Sequence, residues 1–402
     1  MTRTYSFKAG SFSPADPKWT EIVAAAYEAQ ERPVCECGPG KPGMAIARFN
    51  GDYYLRRLPG TGLAHDPQCP SFEPPIELSG LGELRGSALL PQDDGTVDLK
   101  LGFSLSVGSG RKGPTPGEKK DPITAKAARA KLSLRALLHH LWDQAELTVW
   151  HPGMAGKRNW FIVRREILAA ARQNMVQKAP LTERLFVPEP WRKDAHDQLN
   201  SRRSQFMLDL RKLAKAGEAV GMVLAPLNTI EHGGMADRLI LKHMADFPFK
   251  LDKKLTEKVM RVSAGDLELS GMVKDSRVIV LATFIHTERG VPEVLELASM
   301  AVDPRWLPFA TTRELALADS LASRSWKKSL LYSLDQDAPK ATGVLLDTER
   351  PVALYAPREG ISAEALAQMS AAAREGAYEA WLWTPDAAVM PQLPPRRGAA
   401  GH

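Results

Sequence analysis

Cysteine is scarce. The 402-residue chain holds three, at positions 35, 37 and 69, and so small and odd a number argues against a disulfide framework and fits a reducing compartment. Long apolar runs are missing too, with no stretch near the ~18 residues of a membrane-spanning helix. The opening Met1-Thr-Arg-Thr-Tyr-Ser-Phe-Lys8 lacks the apolar stretch of a signal peptide. The expected location is therefore the cytoplasm, away from membranes. Common catalytic signatures are also absent: there is no P-loop, no G-x-G-x-x-G behind a strand, no H-E-x-x-H and no G-x-S-x-G. At about 100–200 residues per domain, the length allows two to three domains.

The three cysteines stand with one histidine in a single pattern, Cys35-Glu36-Cys37 followed after 27 residues by His65-Asp-Pro-Gln-Cys69. Two close pairs of sulfur and imidazole ligands spell a four-coordinate zinc site, and the chain between them can turn back as a hairpin. With all four positions taken by protein, such a site is structural and not catalytic. The alternative is that these are ordinary buried thiols, since free cysteine is among the most buried residues.

Charge is uneven along the chain. The net charge is +6, yet Arg111 to Lys178 carry 14 Lys and Arg against 5 Asp and Glu, a difference of +9. A basic segment in a balanced chain is the electrostatic footprint of a phosphate-contact surface, or else a solvated linker and helix face. Within it Arg158, Arg165 and Arg172 recur every seven residues beside Arg164 and Trp160, which predicts an arginine stripe on a helix over 159–174. These four arginines are the candidate contacts to DNA, the expected partner, alone or in a nucleoprotein complex.

The pattern predicts a multidomain α+β protein. A zinc-binding β-rich module spans 1–107, with a helix over 17–30 and strands Met44–Phe49 and Tyr53–Leu58 joined at Asn50-Gly51-Asp52. A Gly-, Pro- and Lys-rich linker covers 108–122. A basic helical domain covers 123–193, where Leu134, Leu137, Leu138, Leu141 and Trp142 mark a helix capped by Ser133. Helix, turn, basic helix and the apolar strand Leu185–Val187 would suit a winged helix. From 194 to 390 helices and strands alternate in an α/β domain, and the Pro-rich, basic tail 391–402 is expected to be disordered. His139 and His140 read as surface or boundary residues, and Trp142, Trp150 and Trp160 as core anchors.

Several stretches carry a resemblance: Arg32-Pro-Val-Cys-Glu-Cys37, Tyr53-Tyr-Leu-Arg-Arg-Leu-Pro-Gly-Thr-Gly62, His65-Asp-Pro-Gln-Cys-Pro-Ser-Phe72, Gly156-Lys-Arg-Asn-Trp160 and Pro180-Leu-Thr-Glu-Arg-Leu185. Together they resemble the bacterial family known as domain of unknown function 1173, over about residues 30 to 395. The resemblance implies a mobile-element setting, in integrative and conjugative elements, and no particular activity. The last eighty residues also resemble the core of PD-(D/E)XK nucleases. That core needs an aspartate on one strand and Glu-x-Lys on the next to hold a divalent metal. Here Ala341-Thr342-Gly343-Val344-Leu345 and Pro351-Val-Ala-Leu-Tyr355 stand at those places. Neither Thr342 nor Tyr355 anchors a metal as a carboxylate does, so the expected core is degenerate and the expected role is non-catalytic DNA binding. Two alternatives remain open, a metal-dependent nuclease using Glu314 and Asp347, and a protein-interaction scaffold.

Overall fold

A computed structural model describes residues 4–49, 52–58, 60–92, 94–108, 131–214, 217–286, 290–376 and 378–398. The expected turn at Asn50-Gly51, the linker beyond Gly108 and the last four residues of the tail lie outside them. The chain is α+β, and no helix among the described residues is long and apolar enough to cross a membrane.

The amino-terminal segment has a small sheet and a small core. Strands β1 (Tyr5–Phe7), β2 (Gly10–Phe12) and β3 (Val34–Cys35) form a sheet in the order β2-β1-β3, and helix α1 (Trp19–Glu28) lies between β2 and β3 in sequence. Hairpin β4 (Met44–Phe49) and β5 (Asp52–Arg57) follows, as the sequence predicts. Tyr5, Phe7, Val23, Ala26, Cys35 and Met44 make a core of their own. So few buried side chains are a weak foundation for a fold, which is why a staple matters here.

The middle of the chain does not form a separate domain. Beyond β6 (Leu89–Pro91), β7 (Val97–Leu99) and β8 (Ser106–Val107), helix α2 (Leu134–Gln144) starts where Ser133 Oγ accepts the amide of Ala136. It is buried almost all round, as a helix in the middle of a core must be. Strand β9 (Val149–Trp150) and helix α3 (Trp160–Gln173) come next, with Asn159 as N-cap. One apolar core runs without a break from Leu81 through Leu137, Trp142, Ile167 and Leu224 to Tyr332. The boundary expected at 193 therefore falls inside a shared core. The hairpin β10 (Asn174–Val176) and β11 (Ala179–Pro180), which a winged helix would project, is instead built into a sheet of order β11-β10-β7-β6. Its first strand, β10, pairs parallel with β7 of the amino-terminal part of the chain, so the hairpin is not a free wing.

Strand β12 (Leu185–Phe186) and helix α4 (His196–Lys212) lead into a closed barrel. Its strands are β13 (Glu218–Glu231), β14 (Asp237–Leu241), β15 (Phe249–Leu251), β16 (Arg277–His286) and β17 (Pro292–Val302). β13 pairs antiparallel with β14, β14 antiparallel with β15, β15 parallel with β17, β17 antiparallel with β16, and β16 antiparallel with β13. Helices α5 (Lys253–Val262) and α6 (Ala264–Met272) sit between the third and fourth strands. A five-stranded Greek-key barrel closed in the order 1-2-3-5-4-1 is the OB type. A register shift between Leu227 and Thr229 bends β13 so that its first half pairs with β16 and its second with β14. Gly221 leaves room in that strand for side chains packed on it: a Cβ there would stand 2.5 Å from Leu210 Cδ2 and 2.9 Å from Phe284 Cζ.

The carboxy-terminal sheet is second in size. Helix α7 (Thr312–Ser320) precedes three strands, β18 (Trp326–Lys328), β19 (Gly343–Leu345) and β20 (Val352–Tyr355), each antiparallel to the next. Helix α8 (Ala363–Glu375) then returns the chain to β21 (Glu379–Leu382), parallel to β20, while β9 extends the other edge through Trp150 opposite Trp326. Of the tail, residues 391–398 are described, and they are ordered by specific bonds. Arg324 donates to the Pro394 carbonyl (2.9 Å), Trp381 Nε1 to Gln392 (3.0 Å), and the Arg397 amide to Asp347 (2.8 Å). Over residues 391–398 the chain, expected to be disordered, instead supplies acceptors to Arg324 and Trp381.

Candidate metal centre

Each ligand position is set by local chain geometry. Cys35 lies in β3 opposite Tyr5, and its amide bonds the Pro42 carbonyl at 2.9 Å, closing the loop that carries Cys37. A 3-10 turn over Gly62–Ala64 presents His65, and Asp66 starts a turn in which the Cys69 amide bonds the Asp66 carbonyl at 2.8 Å. Gly62 is needed at that crossing, since a Cβ would meet Glu73 at 2.3 Å.

The four side chains converge. Their ligand atoms all lie within 4.8 Å of one another, and among the described residues this is the grouping of His, Cys, Asp and Glu placed to hold a metal ion. Cys35 and Cys69 sulfurs are 3.8 Å apart, and His65 Nδ1 is 3.4 Å from Cys37 and 3.6 Å from Cys69. Zn–S bonds of about 2.3 Å and Zn–N bonds of about 2.0–2.1 Å at tetrahedral angles place sulfurs about 3.8 Å apart and sulfur and nitrogen about 3.6 Å apart. The spacings are thus compatible with zinc. The Asp66 amide points at Cys37 Sγ (3.4 Å), the kind of outer hydrogen bond that steadies a metal-bound thiolate. Nε2 of His65, turned away from the sulfurs, is buried without a hydrogen-bond partner.

Burial governs the ionisation of these ligands. Burial, and then the neighbouring Cys69, push the Cys35 thiol up to about 12, and burial likewise raises Cys69. Burial and then Arg57 lower His65 to about 4, which keeps the imidazole neutral and able to coordinate. Thiolates in this pocket are unfavourable alone and become favourable beside a divalent ion.

The four arginines fare differently. Arg158 precedes α3 and turns inward: its guanidinium donates to the carbonyls of Leu147 (3.1 Å), Glu146 (3.3 Å), Arg305 (3.3 Å) and Val149. Arg164 donates to the Val187 carbonyl at 2.9 Å and lies 3.8 Å from Glu189. Arg172 is half-buried, and only Arg165 of the four is exposed, beside Glu166 at 2.5 Å. The predicted stripe therefore does not form, because a seven-residue spacing fixes direction along a helix and not what lies opposite. His139 and His140 are also buried, correcting the expectation of a surface position. His139 Nδ1 accepts the Tyr332 amide at 2.9 Å, and His140 Nε2 lies 2.7 Å from Asn174 Oδ1.

The carboxylates named for a nuclease are each engaged elsewhere. Asp347 receives Arg324 at 2.8–3.0 Å and the Ser325 amide at 3.1 Å. Glu314 accepts the Ala310 amide at 2.7 Å and Lys328 Nζ at 3.0 Å. Thr342 bonds the Ala356 amide (2.9 Å), and Tyr355 is buried. Sequence reasoning missed Lys328, whose buried ammonium is ringed by Glu314 and the carbonyls of Ser329 (3.0 Å) and Thr342 (3.1 Å). It missed also the cations of the barrel, for which alternation along β14 and β15 was the available signal.

No curated protein and no solved structure matches the chain. A family model, described as a protein of unknown function (DUF1173), matches residues 5–386. With nearly its whole length matched, and with a cluster placed to bind metal at its amino-terminal end, the chain belongs to the DUF1173 family.

Proposed function

We propose that this chain is a non-catalytic, zinc-containing nucleic-acid-binding protein in which the metal fixes the amino-terminal module and the barrel supplies the contact surface. The barrel carries this reading: OB-type barrels present a nucleic-acid surface on their second and third strands, and here those strands hold outward cations. Zinc is favoured as the ion because the donor spacings match the edges of its tetrahedron. The mobile-element setting that the family resemblance implies supplies DNA and its protein complexes as partners.

The carboxy-terminal region supports a nuclease-like platform without catalysis. A helix, antiparallel strands, a second helix and a strand parallel to the last follow one another here, in keeping with the resemblance to the PD-(D/E)XK core, while Thr342 and Tyr355 stand where carboxylates are needed. The Lys328 ammonium, held by three oxygens next to Thr342, supplies a fixed positive charge there.

Fluorescence anisotropy with labelled oligonucleotides across a salt series tests the reading. The full chain should bind, with log affinity falling linearly with log salt. Absence of binding at low salt sinks it in favour of a protein scaffold, and cleavage with Mg or Mn sinks its non-catalytic part.

A further inference from the structure

We infer that the face of β14 and β15 binds the phosphate backbone of single-stranded nucleic acid, with Arg238 and Lys250 at its centre. The inference rests on the nucleic-acid reading above and names the site and the form of the ligand.

Four charged residues stand in register across four strands: Glu231 of β13 opposite Arg238 of β14, Arg238 opposite Lys250 of β15, and Lys250 opposite Glu293 of β17. Like charges directly opposite on neighbouring strands are destabilising. The chain nevertheless sets two cations side by side and holds each from the outside, Arg238 to Glu231 and Lys250 to Glu293, both at 3.0 Å. Both cations are exposed, while their strand neighbours Leu239, Phe249 and Leu251 are fully buried. An anion settling between them would relieve their mutual repulsion. Exposed Lys242 adds a third cation two positions beyond Ile240.

The loop beside this face is pre-formed. Buried Asp237 accepts the Gly233 amide at 3.0 Å and Lys253 Nζ at 2.8 Å, and Lys253 also donates to the Gly233 carbonyl at 2.6 Å. So fixed, the loop between β13 and β14 leaves Met235 98% exposed at its tip. An apolar side chain wholly in water at the rim of a cationic face is suited to the flat surface of an unpaired base.

Size favours one strand over two. Arg238 and Lys250 sit on adjacent strands about 4.8 Å apart on a closed five-stranded barrel, so the face that carries them is narrow. Among the described residues no helix or two-stranded ribbon rises from it to enter a duplex groove. The exposed strand positions of the face are Arg238 and Lys250, neither of them aromatic, and Ile240 is buried, so stacking adds little and binding is electrostatic and tolerant of sequence.

The test uses the full chain with a thymidine 30-mer and a duplex of equal length, comparing wild type with the Arg238→Ala/Lys250→Ala double variant and with Lys242→Glu. The single strand should bind about tenfold or more tighter than the duplex. The double variant should lose about tenfold or more, with its salt slope reduced by about 1.4, two contacts at about 0.7 each. Circular dichroism confirms that these surface variants stay folded. Wild-type binding that these substitutions leave unchanged, or equal binding of duplex, overturns the inference while the nucleic-acid reading stands; no binding of either probe overturns both.

Discussion

Replacing Arg158 by alanine separates a structural arginine from a phosphate-binding one. Its guanidinium serves the carbonyls of Leu147, Glu146, Val149 and Arg305, bridging the end of α2, strand β9 and the turn after β17. Burial lowers its pKa to about 10, with Asp303 and Glu146 opposing the shift, so it stays charged at neutral pH. Truncation strands several half-buried acceptors, and hydrogen bonds to charged groups are worth about 1.5–3 kcal/mol each, with incomplete additivity. A loss of about 3–5 kcal/mol is expected, which lowers Tm by roughly 4–6 °C for a chain of 402 residues. Arg158→Lys keeps the charge and loses the five-donor fork, so it should recover little of the loss. Arg165→Ala, on the exposed side of α3, should change stability by less than about 0.5 kcal/mol. Thermal unfolding by circular dichroism and oligonucleotide affinity are measured on all three. An Arg158→Ala protein with unchanged Tm and weakened binding, restored by lysine, would refute the structural role.

Two further outcomes follow from buried groups. Purified protein should carry about one zinc per chain by elemental analysis, and Cys37→Ser should lose the metal and open residues 4–72 to protease while the barrel stays resistant; full zinc in that variant would refute the ligand assignment. Burial, then Arg135 and Lys328, lower His139 to about 3. The unfolded chain therefore takes up a proton near pH 6.5 that the folded one refuses. Stability falls as pH drops from about 6.5 toward 3, by up to about 1.4 kcal/mol per unit from this group. Urea midpoints between pH 7.5 and 5 should show a shallower slope in His139→Asn, and an identical slope would contradict its buried neutrality.

What could be read from the sequence was local. The Cys35, Cys37, His65 and Cys69 pattern, the β4–β5 hairpin and the Ser133-capped helix each declare themselves through spacing within a few tens of residues. Most barrel strands were visible as apolar runs, yet their closure was not, because pairing of β13 with β16 and of β15 with β17 depends on contacts far apart in sequence. Helices α5 and α6 escaped notice since α6 buries no residue and contains Gly265 and Gly271. Charge misled for a physical reason: composition records that Arg158 and Arg164 are cationic, not that main-chain carbonyls surround them. The ordered tail was hidden likewise, because its partners Arg324, Asp347 and Trp381 come from other elements.

Hydrogen-exchange mass spectrometry with and without a saturating thymidine 30-mer asks the central question directly. Nucleic acid seated on the barrel should slow exchange in the loop 232–236 and along β14 and β15, leaving α3 unchanged. Protection confined to the α3 face around Arg165, with none in the barrel, would contradict the account.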